Sequence, residues 1–215
     1  MQKEIIGKAT LYLGDCRDGM AERADKAFSL AIVDPPYGID AGNMVMGKGQ
    51  NKQWGGKKNW DSEIPDSRYF AELFRTSERQ IIWGGNYFPL PLTGGWLFWN
   101  KDRDKDVSFA DGELAWTNFL NTLKEAKIKY DGFLGADKDG RIHPTQKPVR
   151  LYSWLLNKYA KLGDEILDTH LGSGSSVIAC LERGYNVTAY EIDPEYFEAA
   201  CLRIERSQQQ QLLAF

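Results

Sequence analysis

Apolar runs alternate with amphipathic stretches along this chain, and their spacing predicts a sheet covered by helices. Leu11-Tyr12-Leu13 reads as a short strand stopped at Gly14-Asp15, a helical turn follows over 20–26, and 29–33 returns as a buried strand. Beyond Pro65, Phe70, Leu73 and Phe74 share one helix face, and Gln80-Ile81-Ile82-Trp83 gives the next strand, ending at Gly84-Gly85. Two further strands lie at 95–99 and 113–116, after which 121–141 is polar, charged and weakly periodic. The last third is more regular. Pro148 opens a helix with Leu151, Trp154, Leu155 and Tyr159 on one side, Gly163 closes it, and 165–168 is a strand. A helix from Ser175 to near Gly184 and a strand over 186–190 come next. Asp193-Pro194 then caps a helix that buries Phe197, Ala200, Cys201 and Ile204, and the glutamine-rich tail after Arg206 is expected to fray. Such alternation implies an α/β fold with a mostly parallel mixed sheet flanked by helices.

Two segments carry chemistry. Asp34-Pro35-Pro36-Tyr37 follows the apolar run Leu30-Ala31-Ile32-Val33 and so sits at a strand end. There the Asp34 carboxylate and the Pro35 carbonyl can accept both N–H bonds of an exocyclic amine while Tyr37 stacks on its ring. Read without chemistry, the same tetrapeptide is a rigid turn that ends a strand. The second segment, Asp168-Thr169-His170-Leu171-Gly172-Ser173-Gly174-Ser175, joins a strand to a helix, where Gly172 and Gly174 let the backbone approach a ligand closely. Glu191 ends the next strand, in position for ribose hydroxyls, and Asp168 is in position for a cationic amino group. The glycine spacing is not the G-x-G-x-x-G of dinucleotide sites.

Composition narrows the reading. A chain of 215 residues, 42% hydrophobic and 27% charged, predicts one domain over 1–215 with a single core. No apolar stretch reaches the roughly 20 residues of a membrane span. With no signal pattern at Met1-Gln2-Lys3-Glu4 the expectation is a cytoplasmic protein. Cys16, Cys180 and Cys201 show no C-x-x-C spacing and there are only two histidines, so no metal is expected. Against 30 Asp and Glu there are 27 Lys and Arg, which leaves nucleic-acid binding to local patches. The clearest patch is 41–60, free of acids, where Lys48, Lys52, Lys57 and Lys58 are interleaved with Trp54 and Trp60. It reads as a mobile basic loop, either a cradle for a nucleic-acid strand or a lid.

Taken together, these residues resemble the S-adenosylmethionine-dependent DNA amino-methyltransferases, in the group whose reaction motif precedes the cofactor motif. The resemblance runs from about Ala9 to Ile204. It includes Leu13-Gly14-Asp15-Cys16, Trp83-Gly84-Gly85-Asn86 and His143-Pro144-Thr145-Gln146-Lys147-Pro148. It implies a Rossmann-like methyltransferase fold, S-adenosylmethionine as cofactor, DNA as partner and, by family analogy, a homodimer. Asp15 and Cys16 would approach the cofactor's adenine, His143, Thr145 and Lys147 its methionine end, and Glu191 its ribose. His170, Gly172, Gly174 and Ser175 would complete the cofactor loop beside Asp168, and Asp34 to Tyr37 would be catalytic. Where the family usually has Pro-Phe, this chain has Thr169-His170. The stretch 121–141 falls where the family places target recognition, and it is short.

Asp at the head of the four-residue motif resembles adenine-directed members more than cytosine-N4 members, so adenine N6 is the expected target. Rival readings are a cytosine-N4 enzyme, an enzyme acting on RNA or on a protein glutamine amide, and a catalytically idle nucleic-acid-binding module. A cytosine-C5 enzyme is not expected, because that chemistry needs a cysteine nucleophile and none of the three cysteines follows a proline. Trp99, Trp116 and Phe119 are candidate walls of the base pocket.

Overall fold

A computed structural model describes residues 1–41, 58–103, 110–130 and 141–212 of the chain. Its centre is five parallel strands in the order β2 (Ala9–Leu13), β9 (Asn186–Glu191), β8 (Glu165–Asp168), β3 (Phe28–Val33) and β4 (Ser77–Trp83). Beyond β4 come β6 (Gly112–Thr117) and β5 (Trp96–Asn100), each antiparallel to its predecessor, and then β7 (Leu123–Lys127), parallel to β5. At the other edge β1 (Gln2–Ile6) pairs antiparallel with β2.

Period-two alternation along β3 decides the layers. Leu30 and Ile32 join the core that contains Leu151 and Leu155 of α3 (Val149–Tyr159), Val177 and Ile178 of α4 (Ser175–Glu182), and Phe197 and Ile204 of α5 (Pro194–Leu212). Ala31 and Val33 point the other way, onto Met20 of α1 (Cys16–Ala21) and Tyr69, Phe70 and Leu73 of α2 (Ser67–Thr76). A strand covered by helices on both faces is apolar throughout, which is why 30–33 reads as an unbroken hydrophobic run. Burying each such side chain contributes about 1.5–3 kcal/mol.

Several expectations are corrected. The first helix lies earlier than 20–26, because Asp15 caps it by accepting the Arg17 N–H. The glutamine-rich tail continues α5 as helix to Leu212, in keeping with the good helix propensity of glutamine. Part of 121–141 forms β7, in which only Ala126 is buried, so no apolar alternation announces it; residues 131–140 lie outside the described residues. No described helix is long and apolar enough to cross a membrane. Among the described residues no group of His, Cys, Asp or Glu could hold a metal ion.

The strand order turns outward between β8 and β3: the chain proceeds from β8 to β9 on one side and from β3 to β4 on the other. Ligands of open α/β sheets bind at the carboxyl ends of strands flanking such a point. Asp34 follows β3 there, the glycine loop follows β8, Glu191 ends β9, and Gly14-Asp15 follows β2.

Candidate active site

Asp34 stands at the end of β3 with both carboxylate oxygens engaged. Its Oδ1 accepts from the Tyr37 hydroxyl at 2.6 Å and its Oδ2 from the Lys147 ammonium at 2.6 Å. Lys147, with only 3% of its side chain exposed, also lies 3.0 Å from Glu113 Oε2, and Lys101 lies 2.6 Å from Glu113 Oε1. The result is a row of alternating charge in which the two lysines are buried and the two acids partly so: Asp34, Lys147, Glu113, Lys101. Burial pushes the Asp34 carboxyl upward, and the pull of Lys147 only partly offsets it. For Glu113 burial acts in the same sense, but two flanking ammoniums outweigh it and bring the value down to about 2. Burial would lower Lys147, yet Asp34 and Glu113 hold it above its ordinary value.

Tyr37 is fixed from behind. Its ring stacks on Tyr87 at 5.0 Å and 11° and meets Phe88 edge-on. A Cβ at Gly84 would overlap the Tyr37 ring, and Gly84 adopts φ +67°, so Trp83-Gly84-Gly85 is the floor on which this tyrosine lies. One face of the ring expected to stack on a base is therefore covered by Tyr87.

A cavity of about 410 Å³ runs from Asp34 along the ends of β8, β9 and β2, within the range usual for cofactor sites. Asp15, Cys16, His170, Gly172, Ser175 and Glu191 line it on the strand-end side, and His143, Thr145 and Lys147 line it opposite. Glu191 is held by backbone: Oε1 accepts from Ile192 and Asp193, and Oε2 from Gly172 at 2.8 Å. Three of its four lone-pair directions are thus used and one is left for a hydroxyl donor. Burial raises its carboxyl to about 7. Asp15 has its value lowered by hydrogen bonds from Arg17 that outweigh its partial burial. His170 stays neutral because burial lowers it to about 4; its ring meets Tyr69 edge-on, and Thr169 Oγ1 bridges the Tyr69 hydroxyl and His170 Nδ1. Thr169-His170 therefore still presents a planar wall. His143, lowered by burial to about 3, packs between Tyr196 at 4.4 Å and Trp60 at 5.0 Å.

Two residues of the expected cofactor set do not line this cavity. Asp168 turns its carboxylate onto the His170 N–H and the Ser176 hydroxyl at the start of α4, so it braces the glycine loop rather than facing a ligand. Gly174, at φ +75°, sits under α5, where a Cβ would come within 2.9 Å of Ile204.

A second cavity, of about 300 Å³, opens on the other side of Asp34. Pro35, Tyr37, Trp99, Lys101, Glu113 and Arg141 line it, and Asp34, Pro36, Trp60 and Lys147 border both cavities. Of the candidate base-pocket aromatics only Trp99 is here. Trp116 points into the core with its indole N–H on the Pro91 carbonyl, and Phe119 packs edge-on against Tyr159. Lys48, Lys52, Trp54 and Lys57 lie outside the described residues. Lys58 does not present its charge to a nucleic acid: its ammonium is 2.6 Å from Asp193 and 2.8 Å from Glu195, over the Tyr196 ring. Glu113 and Lys101 escaped sequence reasoning. The only signal for Glu113 is one acid near the start of an otherwise apolar strand.

An open sheet of this order, with a glycine loop, a carboxylate at the end of β9 and a proline-rich turn at its strand ends, has the architecture of a Rossmann-like methyltransferase. Solved structures agree on the fold. M1.HpyAVI in complex with SAM superposes with a TM-score of 0.61 over 91% of this chain and 99% of that one at 17% identity. The cytosine-N4-specific PvuII DNA methyltransferase gives 0.58 over 94% and 90% at 12% identity. The DNA methylase family of the N6/N4 type matches residues 75–201, which include Glu113, Lys147, the glycine loop and Glu191. The Type II methyltransferase M.HpaI of Haemophilus parainfluenzae is 33% identical over 225 aligned positions, covering 84% of this chain and 69% of that protein. The chain belongs to this family of DNA amino-methyltransferases, whose methyl donor is S-adenosylmethionine.

Proposed function

We propose that the protein methylates N6 of adenine in DNA, with the cofactor in the larger cavity and a flipped-out base in the smaller one. The observation that carries this reading is that Asp34 and Pro36 line both cavities, with Trp60, Thr145, Gln146 and Lys147. An amine gripped there lies next to both.

Base nitrogens are poor nucleophiles, because the lone pair is delocalised into the ring. Accepting both N–H bonds at Asp34 and the Pro35 carbonyl draws the nitrogen towards tetrahedral geometry and stabilises the positive charge that develops on it. When bound, S-adenosylmethionine supplies an electrophilic methyl group. As the N–C bond forms, the donor's S–C bond would break and its electron pair would return to sulfur, leaving a neutral thioether, while the surplus proton on nitrogen would pass to Asp34, whose carboxyl burial shifts upward. Lys147 takes one lone pair of Asp34 Oδ2, and a shift of its ammonium towards Glu113, 3.0 Å away, would open that oxygen further to the amine. Extruding the base from its stack costs a few kcal/mol, offset by fixing both reactants. Adenine rests on the aspartate at the head of the motif. Pairing of two copies, which the family resemblance leads one to expect, is tested by sedimentation velocity.

The test is transfer of radiolabelled methyl to DNA, RNA and protein in parallel, followed by nucleoside analysis of the labelled DNA. Label in N6-methyladenine is expected, with Asp34→Ala losing transfer while retaining cofactor binding. Label in N4-methylcytosine would reassign the base, and label confined to RNA or protein would overturn the reading.

A further inference from the structure

Asp61 has no part in the mechanism above, yet it is only 2% exposed and is spent on the reaction turn. Its Oδ1 accepts the N–H of Tyr37 at 2.6 Å and of Gly38 at 3.0 Å, its Oδ2 accepts the N–H of Ala41 at 2.8 Å, and its carbonyl accepts the N–H of Asp40 at 3.0 Å. The turn it gathers needs left-handed backbone, which Gly38 adopts freely at φ +70° and Asp40 at +57° only at a cost. Proline supplies no N–H at positions 35 and 36, so the turn cannot brace itself with ladder bonds there. A carboxylate is a stronger acceptor for converging backbone donors than a neutral group.

The segment carrying Asp61 is itself fastened to the cofactor side. Trp60 rests on His143, and Lys58 holds Asp193 just past Glu191. Asp61 therefore ties the Asp34 wall to the elements that line the larger cavity. We propose that Asp61 is a positioning residue for methyl transfer: by fixing the Tyr37 and Gly38 amides it sets the direction in which the Asp34 carboxylate and the Pro35 carbonyl face the amine. This rests on the methyl-transfer reading, so its test carries a readout independent of activity.

Asp61→Asn keeps one acceptor oxygen and sets an NH2 against one of the amides; Asp61→Ala removes all the side-chain acceptors. Both are compared with wild type and Asp34→Ala for kcat, cofactor Kd, thermal midpoint and hydrogen exchange of peptides spanning 34–41. For Asp61→Asn, kcat is expected to fall by about tenfold or more while cofactor Kd stays within about twofold, the pattern of a group acting on the transition state rather than on binding. Exchange should accelerate at Tyr37, Gly38 and Ala41, with a larger effect in Asp61→Ala. Unchanged kcat with unchanged exchange overturns the proposal. So does a fall in kcat matched by equal losses in cofactor affinity and thermal midpoint, which marks general loosening. Should Asp34→Ala stay active, the methyl-transfer reading is what fails, and the exchange data alone then decide whether Asp61 holds the turn.

Discussion

Lys147 places its ammonium 2.6 Å from Asp34 Oδ2, on one of the two carboxylate oxygens to which the proposed mechanism brings the amine. The pair is not isolated, because Glu113 shares the same ammonium at 3.0 Å. Removing the cation leaves two partly buried carboxylates facing each other, which costs on the order of 1–3 kcal/mol, less than the roughly 3–5 of a fully buried pair because solvent reaches both acids. Lys147→Met is accordingly expected to lower the unfolding free energy by that order in urea titrations. Adding Glu113→Gln should recover part of the loss, since it removes the excess negative charge. Glu113→Gln alone is expected to reduce kcat by about tenfold, because Lys147 then has a weaker resting place away from Asp34. Its cofactor Kd should not change, as Glu113 does not line the larger cavity. A variant with full kcat would show that Lys147 never has to move.

Glu191 gives a prediction about pH. Burial raises its carboxyl from the ordinary 4.5 to about 7, so near neutrality the folded protein holds it as a mixture of protonated and ionised forms. A ribose hydroxyl donates to the ionised form, and cofactor affinity should therefore rise as pH increases through about 7. For folding the sign is opposite. Between 4.5 and 7 the folded state binds more protons than the unfolded one, so this group's contribution to stability is complete below 4.5 and lost as pH rises through about 7. Titration calorimetry of the cofactor between pH 6 and 8 measures the first effect. Glu191→Gln should bind more weakly and remove the pH dependence; a wild-type affinity flat across that interval would rule out the ribose role.

Much of the fold was legible because its central strands are short, apolar and punctuated. Leu30 to Val33 and Ile166 to Leu167 are buried on both faces, so composition alone marks them, and Gly84, Gly163 and Gly172 mark turns that adopt positive φ. The edges were not legible: β1 and β7 expose most of their side chains and pair by backbone, which leaves no hydrophobic period to read. The site divides in the same way. Asp34, Glu191 and the glycine loop announce themselves through local motifs. Glu113, Lys101 and Asp61 act through contacts that exist only once β6, β5 and the segment around Trp60 are folded against the Asp34 turn. Asp168 misleads for the opposite reason, since its motif position suggests a ligand while Ser176 and the His170 amide claim it.

Gly84 tests whether the Tyr37 platform matters to the chemistry. Its φ of +67° disfavours any side chain, and the space where a Cβ would stand is filled by the Tyr37 ring. Gly84→Ala must therefore displace the ring, disturbing its stack on Tyr87 and its hydroxyl's 2.6 Å hydrogen bond to Asp34 Oδ1. The backbone conformation costs about 1 kcal/mol or more for alanine, a modest loss for the whole fold. Catalysis should suffer more than stability: kcat is expected to fall by about tenfold to a hundredfold, because small misplacements of a positioned group carry penalties of that size. Cofactor Kd should be unchanged, since neither Gly84 nor Tyr37 lines the larger cavity. The measurement is single-turnover methyl transfer beside a thermal melt. A variant that melts several degrees lower but turns over at the wild-type rate would confine Gly84 to folding and remove Tyr37's orientation from the account of the reaction.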